Sequence, residues 1–278
     1  MKLVWLSDLH FEFLSGDEVR TFISGVAAEK PETLLITGDI SNAQRLEYHL
    51  TQLAGLLPCP IYFVLGNHDF YLGSFAQVDA LVEDIRTRHP NLVELGHREI
   101  IPLGKDAALI GHRGWADGRA GIGSRSMVRL NDHQYITDLC QPDPHQLFAI
   151  LNRLGDESAD YIRTIAPKAL EMAKQLFIAT HVPPFVEAAL YANKPSEPNF
   201  APHFVNLALG RAILEIVRMY PDKSITVLCG HTHHRALYAP VPNLKVQVAA
   251  AEYHHPQIAS ILDIPDSGFS APSRPSTP

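Results

Sequence analysis

Short apolar runs bounded by Gly, Pro or Asp recur along the chain, and each predicts a buried strand. Eight such strands are expected: Lys2–Ser7, Thr33–Thr37, Ile61–Leu65, Ala107–Gly111, Leu176–Ala179, Thr226–Cys229, Lys245–Ala250 and Ile258–Asp263. Helical periodicity lies between most of them, at Asp17–Glu29, Gln44–Leu57, Ser74–His89, Asp143–Gly155, Glu157–Gln175 and Phe204–Tyr220. This alternation indicates βαβ units with largely parallel pairing, whereas the last strands lack intervening helices and predict a more antiparallel end.

Composition is consistent with a large α/β domain, since 46% of the 278 residues are hydrophobic. We expect residues 1–264 to form one domain with a helical insert at about 115–175, and the Pro- and Ser-rich residues 265–278 to form a disordered tail. The net charge of -7 leaves no basic excess to neutralise phosphates, which argues against a nucleic-acid partner.

The cysteines and the N-terminus favour a cytoplasmic protein. Cys59, Cys140 and Cys229 are widely spaced and form no CxxC motif, as expected of free thiols in a reducing compartment. No signal peptide is readable in MKLVWLSDLHFE, and no apolar run approaches the length of a membrane span. We therefore predict a cytoplasmic location and no membrane association.

Polar motifs follow five of the predicted strands: SDLH, TGDI, GNHD, THVPP and CGHTHH. Ligands gather at the carboxyl ends of strands in an open α/β sheet, so these motifs are expected to converge on one site. Carboxylate, amide and imidazole groups suit divalent ions of the Mn, Fe or Zn type, and about seven ligands fit two ions that share a carboxylate. The converging residues are Asp8, His10, Asp39, Asn67, His68, Asp69, His181, His231 and His233.

Glycines accompany these motifs. Gly38, Gly66 and Gly230 each stand one residue before a candidate ligand. We expect the backbone to turn sharply there and to pass close to the ions and the substrate.

The motifs DLH, GD, GNHD, TH and GHTH, in this order over about residues 6 to 234, resemble the calcineurin-like metallophosphoesterase superfamily. The resemblance implies a four-layer α/β/β/α sandwich of two mixed β-sheets flanked by helices, with the metal site at the carboxyl ends of strands. It also implies two divalent ions: one held by Asp8, His10 and His233, the other by Asn67, His181 and His231, with Asp39 bridging.

The resemblance further implies a dinuclear-metal phosphoric ester hydrolase acting on a phosphorylated small molecule or a phosphoprotein. A metal-bound hydroxide would attack phosphorus in line. His68 would face the scissile phosphate and protonate the leaving oxygen, and Asp69 would orient His68 through a hydrogen bond. Phosphatase and phosphodiesterase activity both remain open.

Some residues have both a functional and a structural interpretation. His112 and Arg113 would line the substrate pocket, with Arg113 near a phosphate, or they would only end a strand beside a packed Trp115. His203 would approach the metals, or it would be a structural residue at a helix start.

Two other functions use the same residues. A non-catalytic interaction scaffold on this fold would have lost ligands or the GNHD histidine, but every position is filled. A single-metal binding or storage protein would not require His68 with Asp69.

Overall fold

The computed structural model describes residues 1–97 and 99–265, so residues 266–278 of the predicted tail lie outside the described part. The helices are α1 Gly16–Ala28, α2 Leu46–Leu56, α3 Phe75–Arg88, α4 Asp132–Tyr135, α5 Pro144–Met172 and α6 Leu207–Met219. The strands are β1 Lys2–Leu6, β2 Thr33–Thr37, β3 Ile61–Val64, β4 Leu92–Glu94, β5 Ile101–Leu103, β6 Ala107–Gly111, β7 Gln175–Ala179, β8 Leu190–Tyr191, β9 Lys194–Pro195, β10 Ser224–Cys229, β11 Ala236–Val241, β12 Leu244–Val248 and β13 Ile258–Asp263. All eight predicted strands are found.

Two large sheets form the centre of the fold. The first has the order β13-β1-β2-β3-β4, in which β1 to β4 are parallel and β13 is antiparallel to β1. The second has the order β11-β12-β10-β7-β6-β5, with parallel central strands and antiparallel edges at β11 and β5. Because β11 and β13 follow β10 in the chain, the prediction of a more antiparallel end is confirmed.

Alternate residues of each strand face different layers. In β1, Val4 and Leu6 pack with Ile23 of α1 in a cluster between the first sheet and its helices. Leu3 and Trp5 belong instead to a cluster between the two sheets. A third cluster lies between the second sheet and the helices α5 and α6. Both faces of the sheets are buried, which explains why the strands are almost continuously apolar. This is the expected four-layer sandwich.

Helix α5 runs without interruption from Pro144 to Met172, where the sequence predicted two helices separated after Gly155. The prediction of a break was wrong. Gly155 does not end the helix but allows close packing against Asp117, since a Cβ at this position would collide with that residue. The helix joins the parallel neighbours β6 and β7 and is therefore the crossover of a βαβ unit. The irregular part of the predicted insert lies between Gly111 and Pro144.

Although α5 spans 29 residues, no helix in the described ranges combines the length and the apolar character needed to cross a bilayer. The cytoplasmic location stays a prediction.

Loops from the two sheets meet at one edge of the sandwich, beyond the carboxyl ends of the parallel strands. The His231 amide after β10 donates a hydrogen bond of 2.9 Å to Oδ1 of Asp8 after β1. The His181 ring after β7 donates from Nδ1 to the carbonyl oxygen of Thr37 at the end of β2, over 2.8 Å. These bonds bring motifs that are far apart in the sequence into one site.

Candidate metal centre

Five of the seven predicted metal ligands adopt left-handed backbone conformations, which are uncommon for residues other than glycine. The φ angle is 50° at Asp8, 45° at His10, 52° at Asp39, 74° at His231 and 57° at His233. Each of these residues lies in a loop that follows a strand. Such conformations persist only where the surrounding structure holds them, and they cluster at functional sites.

Glycines allow the loops to approach the ligands closely. Gly38 has a φ of +95°, and a Cβ at this position would lie 2.5 Å from Nδ1 of His181. A Cβ at Gly230 would collide with the carboxylate of Asp8. The backbone therefore passes close to the candidate ligands at these glycines, and its approach to ions and substrate stays a prediction.

The first group of predicted ligands comprises Asp8, His10, Asp39 and His233, whose ligand atoms all lie within 4.8 Å of one another. Nε2 of His10 is 3.1 Å from Nε2 of His233, and Nε2 of His233 is 3.5 Å from Oδ1 of Asp8. All but His233 are buried. Two ring nitrogens at this distance need a cation or a shared proton between them.

The second group is centred on Oδ1 of Asn67, which lies 3.0 Å from both Nε2 of His181 and Nδ1 of His231. The other ring nitrogen of each histidine donates to a backbone carbonyl, that of His181 to Thr37 over 2.8 Å and that of His231 to His203 over 3.2 Å. Because a carbonyl can only accept, these bonds place N–H on those nitrogens and leave Nε2 of His181 and Nδ1 of His231 facing the Asn67 oxygen, where they are available to a cation.

Asp39 lies between the two groups. Its Oδ2 is 3.7 Å from Nε2 of His10, and its Oδ1 is 3.4 Å from Nε2 of His181. Burial raises the pKa of the Asp39 carboxyl, but the charges of His181 and His68 outweigh burial and hold this pKa well below its usual value. One carboxylate thus faces a ligand of each group, as a bridging residue must.

The donors of both groups fit divalent cations. Nitrogen and oxygen ligands without a thiolate suit ions of the Mn, Fe or Zn type, and Cys229 is buried in the core cluster beside α5 and α6. The carboxylates of Asp39 and Asp8 raise the pKa of His181 to about 10 against the opposing effect of burial. A negative potential strong enough to hold this proton also favours a cation at the same place.

Asp69 does not have the predicted contact with His68. Its carboxylate is fully buried and accepts hydrogen bonds from three backbone amides, those of Ile40 at 2.9 Å, Ser41 at 2.8 Å and Gly66 at 2.8 Å. Burial raises the pKa of this carboxyl, and the amides oppose that effect. The prediction that Asp69 bonds the imidazole is wrong because its oxygens are turned towards the loops that follow β2 and β3.

Within the described residues, the carboxylate in contact with the His68 ring is that of Glu12, whose Oε1 lies 3.1 Å from Nδ1. Tyr71 stacks on the face of the same ring, with centroids 4.1 Å apart and an interplanar angle of 25°. Burial lowers the pKa of His68, but the charges of Asp39 and Glu12 outweigh burial and raise it above its usual value. Glu12 follows His10 by two residues in DLHFE, so a signal for it was present in the sequence.

Asp132 is a second residue that sequence reasoning missed. Its Oδ1 accepts hydrogen bonds from Nδ2 of Asn67 at 2.9 Å and from the hydroxyl of Tyr71 at 2.6 Å. The first bond orients the Asn67 amide so that its oxygen faces His181 and His231. Asp132 begins the four-residue helix α4 in the irregular segment, where no motif marks it.

The contacts of His112 favour its structural interpretation, whereas Arg113 has structural contacts and also lies beside the second group of ligands. The Arg113 guanidinium donates to Asp79 and to the buried Glu94, each over 2.8 Å. The Gly114 amide donates to Nδ1 of His112, and burial lowers the pKa of this histidine to about 4. Both side chains line a cleft of about 270 Å³ whose lining includes none of the predicted metal ligands. Arg113 also lines a second pocket, together with all three residues of the second group of ligands.

His203 lies beside the second group and lines the same pocket as its three residues. Its backbone carbonyl accepts the bond from His231, while its Nε2 is 3.0 Å from the hydroxyl of Ser126. The His203 ring is buried, and burial lowers its pKa to about 4. It therefore supports a ligand through the main chain, an effect that side-chain motifs cannot indicate.

Comparison with known families supports the assignment of this site. The family model described as calcineurin-like phosphoesterase matches residues 1–235. The chain belongs to this family. It is therefore a metal-dependent phosphoesterase, a hydrolase of ester bonds, as the motif resemblance implied. Among curated proteins, no sequence matches at a significant level.

Solved structures share the fold at low sequence identity. The phosphopantetheinyl hydrolase from Mycobacterium tuberculosis is 14% identical with a TM-score of 0.60, covering 91% of this chain and 89% of its own. A dimetal phosphatase from Danio rerio is 12% identical with a TM-score of 0.55, covering 90% and 87%. The protein TT1561 from Thermus thermophilus is 10% identical with a TM-score of 0.51, covering 90% and 88%. At such identities the likeness concerns the fold.

Proposed function

We propose that this phosphoesterase hydrolyses phosphoric esters of small molecules or phosphoproteins at a centre of two divalent ions. The observation that carries the proposal is that the two ligand groups share Asp39 and lie beside a histidine that belongs to neither. The ring centroid of His68 is 4.5 Å from that of His10, in an edge-to-face arrangement. A site for metal storage has no need of such a histidine.

We assign the ligands to the two ions according to the two groups of side chains described above. Imidazole nitrogens together with carboxylate and amide oxygens favour ions of the Mn, Fe or Zn type. When bound, such a pair neutralises phosphate oxygens and acidifies a water that serves as the nucleophile. Asp8, His10 and His233 would hold one ion, and Asn67, His181 and His231 the other, with Asp39 shared between them.

His68 supplies the proton for the leaving group. Its Nδ1 faces Glu12, so its Nε2 is the nitrogen available to a substrate. As the bond between phosphorus and the leaving oxygen breaks, Nε2 donates its proton to that oxygen, and the alcohol departs uncharged. The His68 side chain is 13% exposed, which keeps it accessible to substrate while limiting competition from water.

The test is a hydrolysis screen of metal-depleted protein to which Mn²⁺ is added. Chromogenic monoesters and diesters are compared with cyclic nucleotides, nucleotides and phosphopeptides, and bound metal is counted by elemental analysis. We expect activity that depends on added metal and two ions per chain at saturation. Two bound ions without hydrolysis of any ester would favour the non-catalytic scaffold, and far fewer than two ions would contradict the dinuclear centre.

A further inference from the structure

Glu12 places one carboxylate oxygen against two imidazoles. It lies in the short 3-10 turn Phe11–Phe13, and its side chain is 7% exposed. Oε1 is 3.1 Å from Nδ1 of His68 and 3.4 Å from Nδ1 of His10. The main chain of this turn is fixed as well, because Arg45 donates to the Glu12 carbonyl over 2.8 Å.

The shared oxygen orients both rings in the same way, with Nδ1 towards Glu12. An ionised carboxylate only accepts, so each histidine presents N–H at Nδ1 and directs its Nε2 at another partner; His68 donates from Nε2 in its imidazolium form, which carries N–H at both nitrogens. Nε2 of His10 then lies among the first group of ligands, 3.1 Å from Nε2 of His233. Nε2 of His68 is left for the substrate. Tyr71 covers one face of the His68 ring, so the ring is held at its edge and at its face.

The second oxygen of Glu12, Oε2, is buried and makes no hydrogen bond of its own within the described residues. A buried carboxylate oxygen without a partner costs free energy, which an apolar side chain in this place would avoid.

We propose that Glu12 is the positioning residue for both His10 and His68, and that proton donation to the leaving group depends on it. The inference rests on the proposed function for the role of His68, while the contact between Glu12 and the two rings stands by itself. Asp69 has no part in this positioning, since its oxygens bind the amides of Ile40, Ser41 and Gly66.

The first test varies the leaving group. With Mn²⁺ present, Glu12→Leu is expected to lower kcat for alkyl phosphates by about 10–100-fold, the usual effect of losing a carboxylate behind a functional histidine. Esters of 4-nitrophenol, whose leaving group needs little protonation, should lose far less, and KM should change little. Glu12→Gln keeps an acceptor oxygen and should recover part of the loss. Glu157→Gln makes the same change at an exposed ion pair and should behave as the wild type.

The second test observes the rings without metal or activity. ¹⁵N NMR of histidine-labelled, metal-free protein should show His10 and His68 protonated at Nδ1 in the wild type, and this preference should be lost in Glu12→Leu. Unchanged ring nitrogens, or an equal loss for alkyl and nitrophenyl esters, would overturn the proposal. If the wild type hydrolysed no ester at all, the proposed function would fail, and the NMR comparison would still decide the positioning by Glu12. If Glu12→Leu did not fold, Glu12→Gln would serve in both tests.

Discussion

The side-chain amide of Asn67 donates a hydrogen bond of 2.9 Å to the carboxylate of Asp132, 65 residues further along the chain. Asn67 belongs to the GNHD motif after β3, whereas Asp132 lies in the irregular segment between β6 and α5. An Asn side chain can present either its oxygen or its nitrogen to a cation. Asp132 accepts from the nitrogen and thereby aims the oxygen at the ring nitrogens of His181 and His231.

Replacing Asp132 should therefore affect one ion only. In Asp132→Leu the Asn67 amide is free to rotate, and we expect the ion held with His181 and His231 to bind about 10–100-fold more weakly. The ion at His10 should bind as before. Metal titration followed by calorimetry measures both, with the exposed Asp160→Asn as the control. Equal weakening of both ions would contradict an effect through Asn67.

The sequence predicted the convergence of the five motifs because each one follows a short apolar strand. Parallel strands end at the same edge, so strand order and motif order were sufficient to bring Asp8, Asn67 and His231 together without any knowledge of the loops. The division into two sheets followed from the family resemblance. What the pattern could not indicate was the direction of a side chain within a loop.

Asp69 and Glu12 illustrate that limit. Adjacency in GNHD favoured Asp69 as the partner of His68, but the loop turns the Asp69 oxygens towards three backbone amides. Glu12 reaches His68 from a loop 56 residues away in the chain. The predicted break in the helix at Gly155 was wrong for a related reason. The contact of Gly155 with Asp117 depends on tertiary packing and not on helix propensity.

Asp39→Asn should weaken both ions together. The two carboxylate oxygens face His10 and His181, one in each group of ligands, and an amide offers a single neutral oxygen in their place. The Asn oxygen can still accept the 2.8 Å bond from the His68 amide, so the loop itself should be kept. Elemental analysis after dialysis against Mn²⁺ measures the outcome. Loss of one ion with full retention of the other would show that Asp39 does not bridge.

His68→Ala should retain both ions and lose activity. His68 is not part of either group of ligands, and its proposed task is proton transfer, whose loss typically costs about 10²–10⁴ in rate. We expect kcat for alkyl phosphates to fall by that factor while the metal content stays at the wild-type level. Assays on alkyl esters combined with metal analysis test this. Full activity of the variant would remove His68 from the mechanism.

His49 should make the metal-free protein less stable in acid. It is fully buried, its Nδ1 lies 2.7 Å from the hydroxyl of Ser41, and burial lowers its pKa from 6.5 to about 4. The unfolded chain therefore takes up this proton near pH 6.5, whereas the folded protein takes it up only near pH 4. Between these values the unfolded state binds more protons, so the free energy of unfolding falls as the pH decreases.

His49→Gln removes this titration and keeps a polar side chain beside Ser41. Between pH 7.5 and pH 5 we expect the wild type to lose about 2 kcal/mol more of its free energy of unfolding than His49→Gln does. Urea denaturation at the two pH values, with a chelator present, measures the difference, and the exposed His145→Gln controls for the loss of a histidine. The comparison with His49→Gln identifies the group, because the other buried histidines whose pKa is lowered to about 4, such as His112 and His203, titrate alike in both proteins. An identical loss in the wild type and in His49→Gln would mean that the buried imidazole takes up its proton in the folded protein as readily as in the unfolded chain.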